Sequence, residues 1–94
     1  MGKVSWTDLA EYDLQEIENY IAQDSPTYAI ITSEKIINRS FVLTKFPKSG
    51  RIVPEFENPV IRELIEGNYR IVYFLKSTKE IVILRIHHAS RILK

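Results

Sequence analysis

From residue 10 to residue 43 apolar side chains recur at three- and four-residue intervals, and from residue 69 they alternate, so a helical half precedes a sheet half. Ala10, Leu14, Ile17 and Ile21 fall on one helical face, opened by Thr7 or Asp8 as cap, with Asp8 and Glu11 at capping-box spacing. This helix is expected to end near Gln23 or Asp24. Ser25-Pro26 is a capping residue followed by proline at the first helical position. It opens a second stripe of Ala29, Ser33, Ile36, Ser40 and Leu43, widened by Ile30, Ile37 and Phe41. So short a link implies an antiparallel helical hairpin. Phe46-Pro47 stops the second helix, because proline disfavours helical backbone in the residue before it.

Val4-Ser5-Trp6 ahead of the helices reads as a short strand. After the turn Lys48-Ser49-Gly50, the run from Arg51 to Phe56 reads as extended, with Pro54 placing it at a sheet edge or strand end. Glu57-Asn58-Pro59 interrupts the chain, Val60 to Ile65 forms a strand, and Gly67-Asn68 makes a hairpin turn. In the next strand Tyr69, Ile71, Tyr73 and Leu75 share one face, and Arg70, Val72, Phe74 and Lys76 the other. In the last, Val82, Leu84, Ile86 and His88 oppose Ile81, Ile83, Arg85 and His87. A four-residue loop Ser77-Thr78-Lys79-Glu80 would pair Lys76 with Ile81, Val72 with Arg85 and Arg70 with His87. The core face would then carry Ile71, Tyr73, Leu75, Val82, Leu84 and Ile86. The opposite face would carry Arg70, Arg85 and His87, a cationic patch able to hold a phosphate.

These signals share one architecture: a single α+β domain over residues 1–94, order β-α-α-β-β-β. Its single antiparallel sheet of about four strands packs against an N-terminal helical hairpin. Composition agrees, with 45% hydrophobic and 27% charged residues, too apolar for a disordered chain. Without cysteine there is no disulfide or thiolate nucleophile, and two histidines lack a third ligand at metal-binding spacing, so neither metal nor cofactor is expected. No Gly-rich phosphate loop occurs. The N-terminus lacks an apolar run of signal-peptide length, and no segment has the length to span a bilayer, which places the expected location in the cytoplasm.

The net charge of +1 conceals a division. Residues 1–47 hold four Lys/Arg against seven Asp/Glu, a net of −3, whereas residues 48–94 hold nine against five, a net of +4. A basic sheet half fits a surface that meets a polyanion or an acidic partner segment.

Several local patterns, in order, resemble the RelE/ParE superfamily of bacterial toxins from type II toxin–antitoxin modules. They are Val4-Ser5-Trp6 before an acidic helix, Phe46-Pro47, Gly50-Arg51-Ile52-Val53-Pro54-Glu55, Arg62-Glu63-Leu64, Tyr69-Arg70-Ile71-Val72-Tyr73 and His87-His88-Ala89-Ser90-Arg91. The resemblance covers essentially the whole chain. It implies a growth-inhibiting toxin neutralised by a cognate antitoxin that wraps the helical and sheet surfaces, and an acidic antitoxin stretch would complement the basic half.

The superfamily contains two modes of action, and the resemblance leaves enzymatic action open. Carried over from metal-independent, ribosome-dependent nucleases, Glu55 would take the 2′-hydroxyl proton of mRNA, Arg70 would stabilise the transferring phosphate, and His87 would protonate the leaving oxygen. Arg51, Arg62, Arg85, His88 and Arg91 would hold substrate, and Arg91 would be an alternative acid. The chain lacks the lysine cluster of some nucleases and has His88 where others stack a tyrosine on the base. Its Gly-Arg-x-Val-Pro-Glu run and His-x-x-x-Arg ending look more like the ParE branch, which inhibits DNA gyrase without a catalytic set. A member that only binds its antitoxin is the third possibility. Each charged residue also has a structural alternative: a salt bridge from Arg70 to Glu55, Glu63 or the C-terminal carboxylate, glutamate partners for Arg51 and Arg62, a partly buried hydrogen-bonded His88, and a surface charge at Arg91.

Overall fold

The computed structural model describes residues 2–90. Its elements run β1 (Lys3–Trp6), α1 (Asp8–Ala22), α2 (Pro26–Ser40), a 3₁₀ turn (Phe41–Thr44), β2 (Arg51–Ile52), β3 (Ile61–Glu66), β4 (Tyr69–Ser77) and β5 (Glu80–His88). The order and the helix-on-sheet architecture match the sequence reading. The sheet has five strands rather than four, in the order β1-β5-β4-β3-β2, and it is mixed, because β1 lies parallel to β5.

Both helices form where their apolar spacing places them. Thr7 caps α1 by accepting from the Ala10 amide at 3.0 Å, so the cap is Thr7 and no Asp8–Glu11 capping box is used. Ser25 caps α2 through the Tyr28 amide at 3.1 Å, with Pro26 at its first position. Ala29, Ser33, Ile36, Ser40 and Leu43 are all buried, whereas Ile30 and Phe41, expected to widen that stripe, face outward. Across the interface Ala10, Ile36 and Leu43 pack on Ile71, Tyr73, Leu75, Ile81, Ile83 and Ile86.

That set departs from expectation in β5. Arg70 pairs with His87 and Val72 with Arg85 as expected, but Tyr73 then pairs with Ile83, Phe74 with Val82 and Leu75 with Ile81. Leu84 is an extra residue in β5 and Lys76 an extra residue in β4, and the two irregularities cancel. Lys76 therefore does not pair with Ile81, and the loop contracts so that Ser77 faces Glu80. Between the bulges the faces of β5 are exchanged. Ile81 and Ile83 enter the core, while Val82 and Leu84 remain partly exposed. Thr7 stabilises the bulge, its hydroxyl donating to the Leu84 carbonyl at 2.9 Å and its amide to the Ile83 carbonyl at 3.0 Å.

This exchange has a direct test. Ile83→Ala is expected to cost about 2–5 kcal/mol in a urea titration, and Leu84→Ala distinctly less, because only the former opens a closed core site. A larger loss for Leu84→Ala would restore the unbulged register.

The segment after β2 also differs. Only Arg51–Ile52 is strand; the chain then turns, with the amides of Phe56 and Glu57 donating to the Val53 carbonyl and Glu57 in the left-handed region at φ 51°. Val53 is fully buried against Val72 and Ile61 on the sheet face away from the helices. The run from Arg51 to Phe56 is thus a strap folded over that face rather than a continuous edge strand.

Candidate functional site

Alternation in β3 and β4 sends Glu63 and Arg70 to the face away from the helices, and pairing of β2 with β3 sets Arg51 opposite Glu63. The strap supplies the fourth charge, Glu55. Arg70 Nε donates to Glu63 Oε1 at 2.5 Å, while its Nη1 and Nη2 donate to the two oxygens of Glu55 at 2.8 Å each. Arg51 Nε reaches the second oxygen of Glu63 at 2.6 Å. The Glu63 side chain is 0% exposed and that of Arg70 5%, so the central pair is sealed from water. Its hydrogen bonds to Glu55, ahead of the opposing cost of desolvation, raise the Arg70 pKa above the ordinary guanidinium value. Two arginines and two glutamates bring formal neutrality to what the sequence suggested was a cationic patch.

The other described arginines of the sheet half are also engaged. Arg85 lies opposite Val72, yet its guanidinium leaves the Arg70 face and grips Asp13 of α1, Nε to Oδ2 at 2.7 Å and Nη2 to Oδ1 at 3.0 Å. The same Asp13 oxygen accepts from the Ile86 amide at 3.0 Å. A bulge re-aims side chains next to it, and this one turns Arg85 toward the helix. Its predicted place beside Arg70 and His87 is therefore corrected. Arg62 does not pair with a glutamate: it donates to the carbonyls of Pro59 and Gly50, both at 3.0 Å, tying the strap to the turn before β2. Arg51 does pair with a glutamate, Glu63.

His87 stands across the ladder from Arg70, as the register required, and is half-buried. The structure thus brings together Glu55 with Arg70, and Arg70 with His87, two of the three relationships the nuclease set needs. His88 is exposed rather than partly buried; its Nδ1 lies 2.8 Å from Ser90 Oγ, and its ring meets Tyr69 edge-on at 5.8 Å. Arg91 lies outside the described residues. Among the described residues no three His, Asp or Glu side chains gather around a possible ion position, and no helix is long and apolar enough to cross a membrane.

Three residues have roles here beyond expectation, since Glu63 was expected only as one possible partner of Arg70, Tyr73 only as a core residue and Gly50 only as a turn residue. Glu63 shares its face with Ile61 and Ile65, and a carboxylate between apolar neighbours signals a buried partner. Tyr73 carries its ring into the core and its hydroxyl to the strap's root, donating to the Pro47 carbonyl at 2.8 Å and accepting from the Gly50 amide at 3.1 Å. Burial raises the Tyr73 pKa, a desolvation effect larger than the opposing help of the Gly50 amide and Arg62. Gly50 is required where Tyr73 and the β3 backbone come closest.

A family model described as "ParE toxin of type II toxin-antitoxin system, parDE" matches residues 4–93. The chain is also similar to a solved structure described as "Chromosomal ParDE TA system from P. aeruginosa", with 29% identity and a TM-score of 0.78, over 96% of this chain and 98% of that one. No curated protein matches it.

Proposed function

The chain belongs to the ParE toxin family of type II toxin–antitoxin systems, and on that premise we propose that it arrests growth by a non-enzymatic mechanism, binding DNA gyrase when its cognate antitoxin is absent. The observation that carries this reading is the state of Arg70. A phosphate-binding arginine must present its fork to the substrate, but each nitrogen of this guanidinium donates to a carboxylate and the group is buried. Glu55, the would-be base, has both oxygens occupied by the same fork. Catalysis through this pair would require breaking two charge-assisted hydrogen bonds before substrate could bind. As a structural device the cluster needs no such change: it clamps the strap onto the sheet.

Ribosome-dependent cleavage of mRNA remains the second reading, favoured by one observation, that Glu55, Arg70 and His87 do converge on one region of the sheet. Two assays on the purified toxin separate them. The gyrase reading expects loss of supercoiling by purified gyrase, with mRNA on translating ribosomes left intact. Cut mRNA with supercoiling untouched would replace it by the nuclease reading.

A further inference from the structure

A run of unpaired negative charge lies on α1. From Asp8 to Asp24 the chain carries six carboxylates and no Lys or Arg. Asp13 is taken by Arg85, and Glu18 accepts from Ser33 Oγ at 2.7 Å. Asp8 and Glu11 sit in the first turn, where the helix dipole favours them. Asp8, Glu11, Glu16 and Asp24 enter no ion pair among the described residues. On the sheet side Arg51, Arg70 and Arg85 are paired within the molecule, which leaves Lys48, Arg62 and Lys79 without an ion pair among the described residues.

The acidic helix also carries a second apolar stripe. Leu9, Tyr12, Glu16 and Tyr20 follow one another at three- and four-residue steps, so at 100° per residue they form a face turned roughly 120° from the core stripe. Leu9 is 50% exposed, Tyr12 61% and Tyr20 74%. Tyrosine so displayed is typical of protein interfaces, where an amphipathic ring buries area at small entropic cost. Beside this stripe a cleft of about 280 Å³ opens between α1 and the ends of β4 and β5, bordered by Glu16, Tyr20, Tyr69 and His88. Its lining includes the Tyr20 and Tyr69 rings and the Glu16 carboxylate, with His87, His88 and the Arg85-paired Asp13 beside them, and rings next to a carboxylate are a chemistry that receives a guanidinium or ammonium group.

We propose that this stripe docks a basic segment of the cognate antitoxin, whose apolar side chains cover Leu9 and Tyr12 while an Arg or Lys enters the cleft between Tyr20 and Tyr69 and pairs with Glu16. The inference rests on the toxin–antitoxin reading above and reverses the sign expected from total charge, under which an acidic antitoxin segment would seek the sheet half. Nucleic acid is a poor occupant, because its phosphates would meet uncompensated carboxylates. A second copy of the chain is poorly matched too, since three arginines of its basic half are already paired.

The test uses the cognate antitoxin, obtained by co-expression with the toxin, separated and re-titrated against toxin variants by calorimetry at two salt concentrations. Glu16→Lys and Tyr20→Ala are each expected to weaken binding by about tenfold or more with unchanged melting temperature, and added salt to weaken the wild-type complex. Lys79→Glu, on the distant β4–β5 turn, should bind as wild type. Wild-type affinity of both α1 variants would overturn the proposal while leaving the family reading intact. So would self-association of the free toxin that these variants abolish without changing antitoxin affinity. A wild-type chain that binds no antitoxin would remove both.

Discussion

Arg70→Met is expected to lower folding stability by about 3–5 kcal/mol, because it strands a carboxylate that water cannot reach. Glu63 would keep Arg51 as its partner, but through one oxygen only, and Glu55 would lose both of its hydrogen bonds to the fork. The measurement is urea denaturation of the purified protein beside the wild type. Arg70→Lys should fall between the two, since an ammonium keeps the charge but cannot span Glu63 and Glu55 with fixed geometry. Pairing Arg70→Met with Glu63→Met should recover part of the loss, because it removes the carboxylate that the single change strands. If Arg70→Met instead melts like the wild type and yet abolishes toxicity, Arg70 acts on a target and the structural account fails.

Gly50→Ala should cost about 3 kcal/mol, at the upper end of what overpacking does. A β-carbon there would stand 2.6 Å from the Glu63 carbonyl oxygen and 2.6 Å from the ring and hydroxyl of Tyr73. Neither neighbour can retreat cheaply. The Glu63 backbone is held between β2 and β4, and Tyr73 is fully buried with its hydroxyl bonded to Pro47 and Gly50. Relief would come from lifting the strap's root, which would also release Arg62 from the Gly50 carbonyl. Hydrogen exchange should therefore quicken across residues 50–57 more than in the helices. An alanine variant with wild-type stability and unchanged exchange would show that the close approach is wrong.

Much of this fold was legible in the chain, and the failures have definite causes. Helical spacing located the buried residues of α2 because burial of one helical face depends only on local periodicity. The same periodicity could not reveal that β1 joins β5 in parallel, since a four-residue strand carries no mark of its partner. Alternation placed Arg70 opposite His87 correctly, but it missed the extra residues Leu84 and Lys76, which compensate one another and leave the ends of the ladder in the expected register. A bulge displaces side chains without breaking the apolar pattern on which the reading relied. Pro54 was read as marking a sheet edge or strand end, yet where the chain went next was decided by burial of Val53 against Val72 and Ile61.

At the site, residue types were more informative than net charge. Arg70 flanked by apolar residues demanded either an anion or a carboxylate, and Glu55 and Glu63 were the named candidates for the second outcome. Counting charges over the sheet half suggested a free cationic surface. It could not register that arginines and glutamates on adjacent strands would neutralise each other, or that Arg85 would cross to the helix.

The central claim is that toxicity does not pass through Glu55, Arg70 and His87 as a catalytic set. Its most direct test avoids the stability cost of Arg70 by using His87→Ala, whose side chain is half-buried on β5. Growth arrest on induction without antitoxin is scored together with the integrity of cellular mRNA and the supercoiling of a reporter plasmid. The account predicts growth arrest equal to wild type, intact mRNA and relaxed plasmid. A soluble His87→Ala protein that still binds its antitoxin but no longer arrests growth, beside a wild type that cuts mRNA, would contradict it.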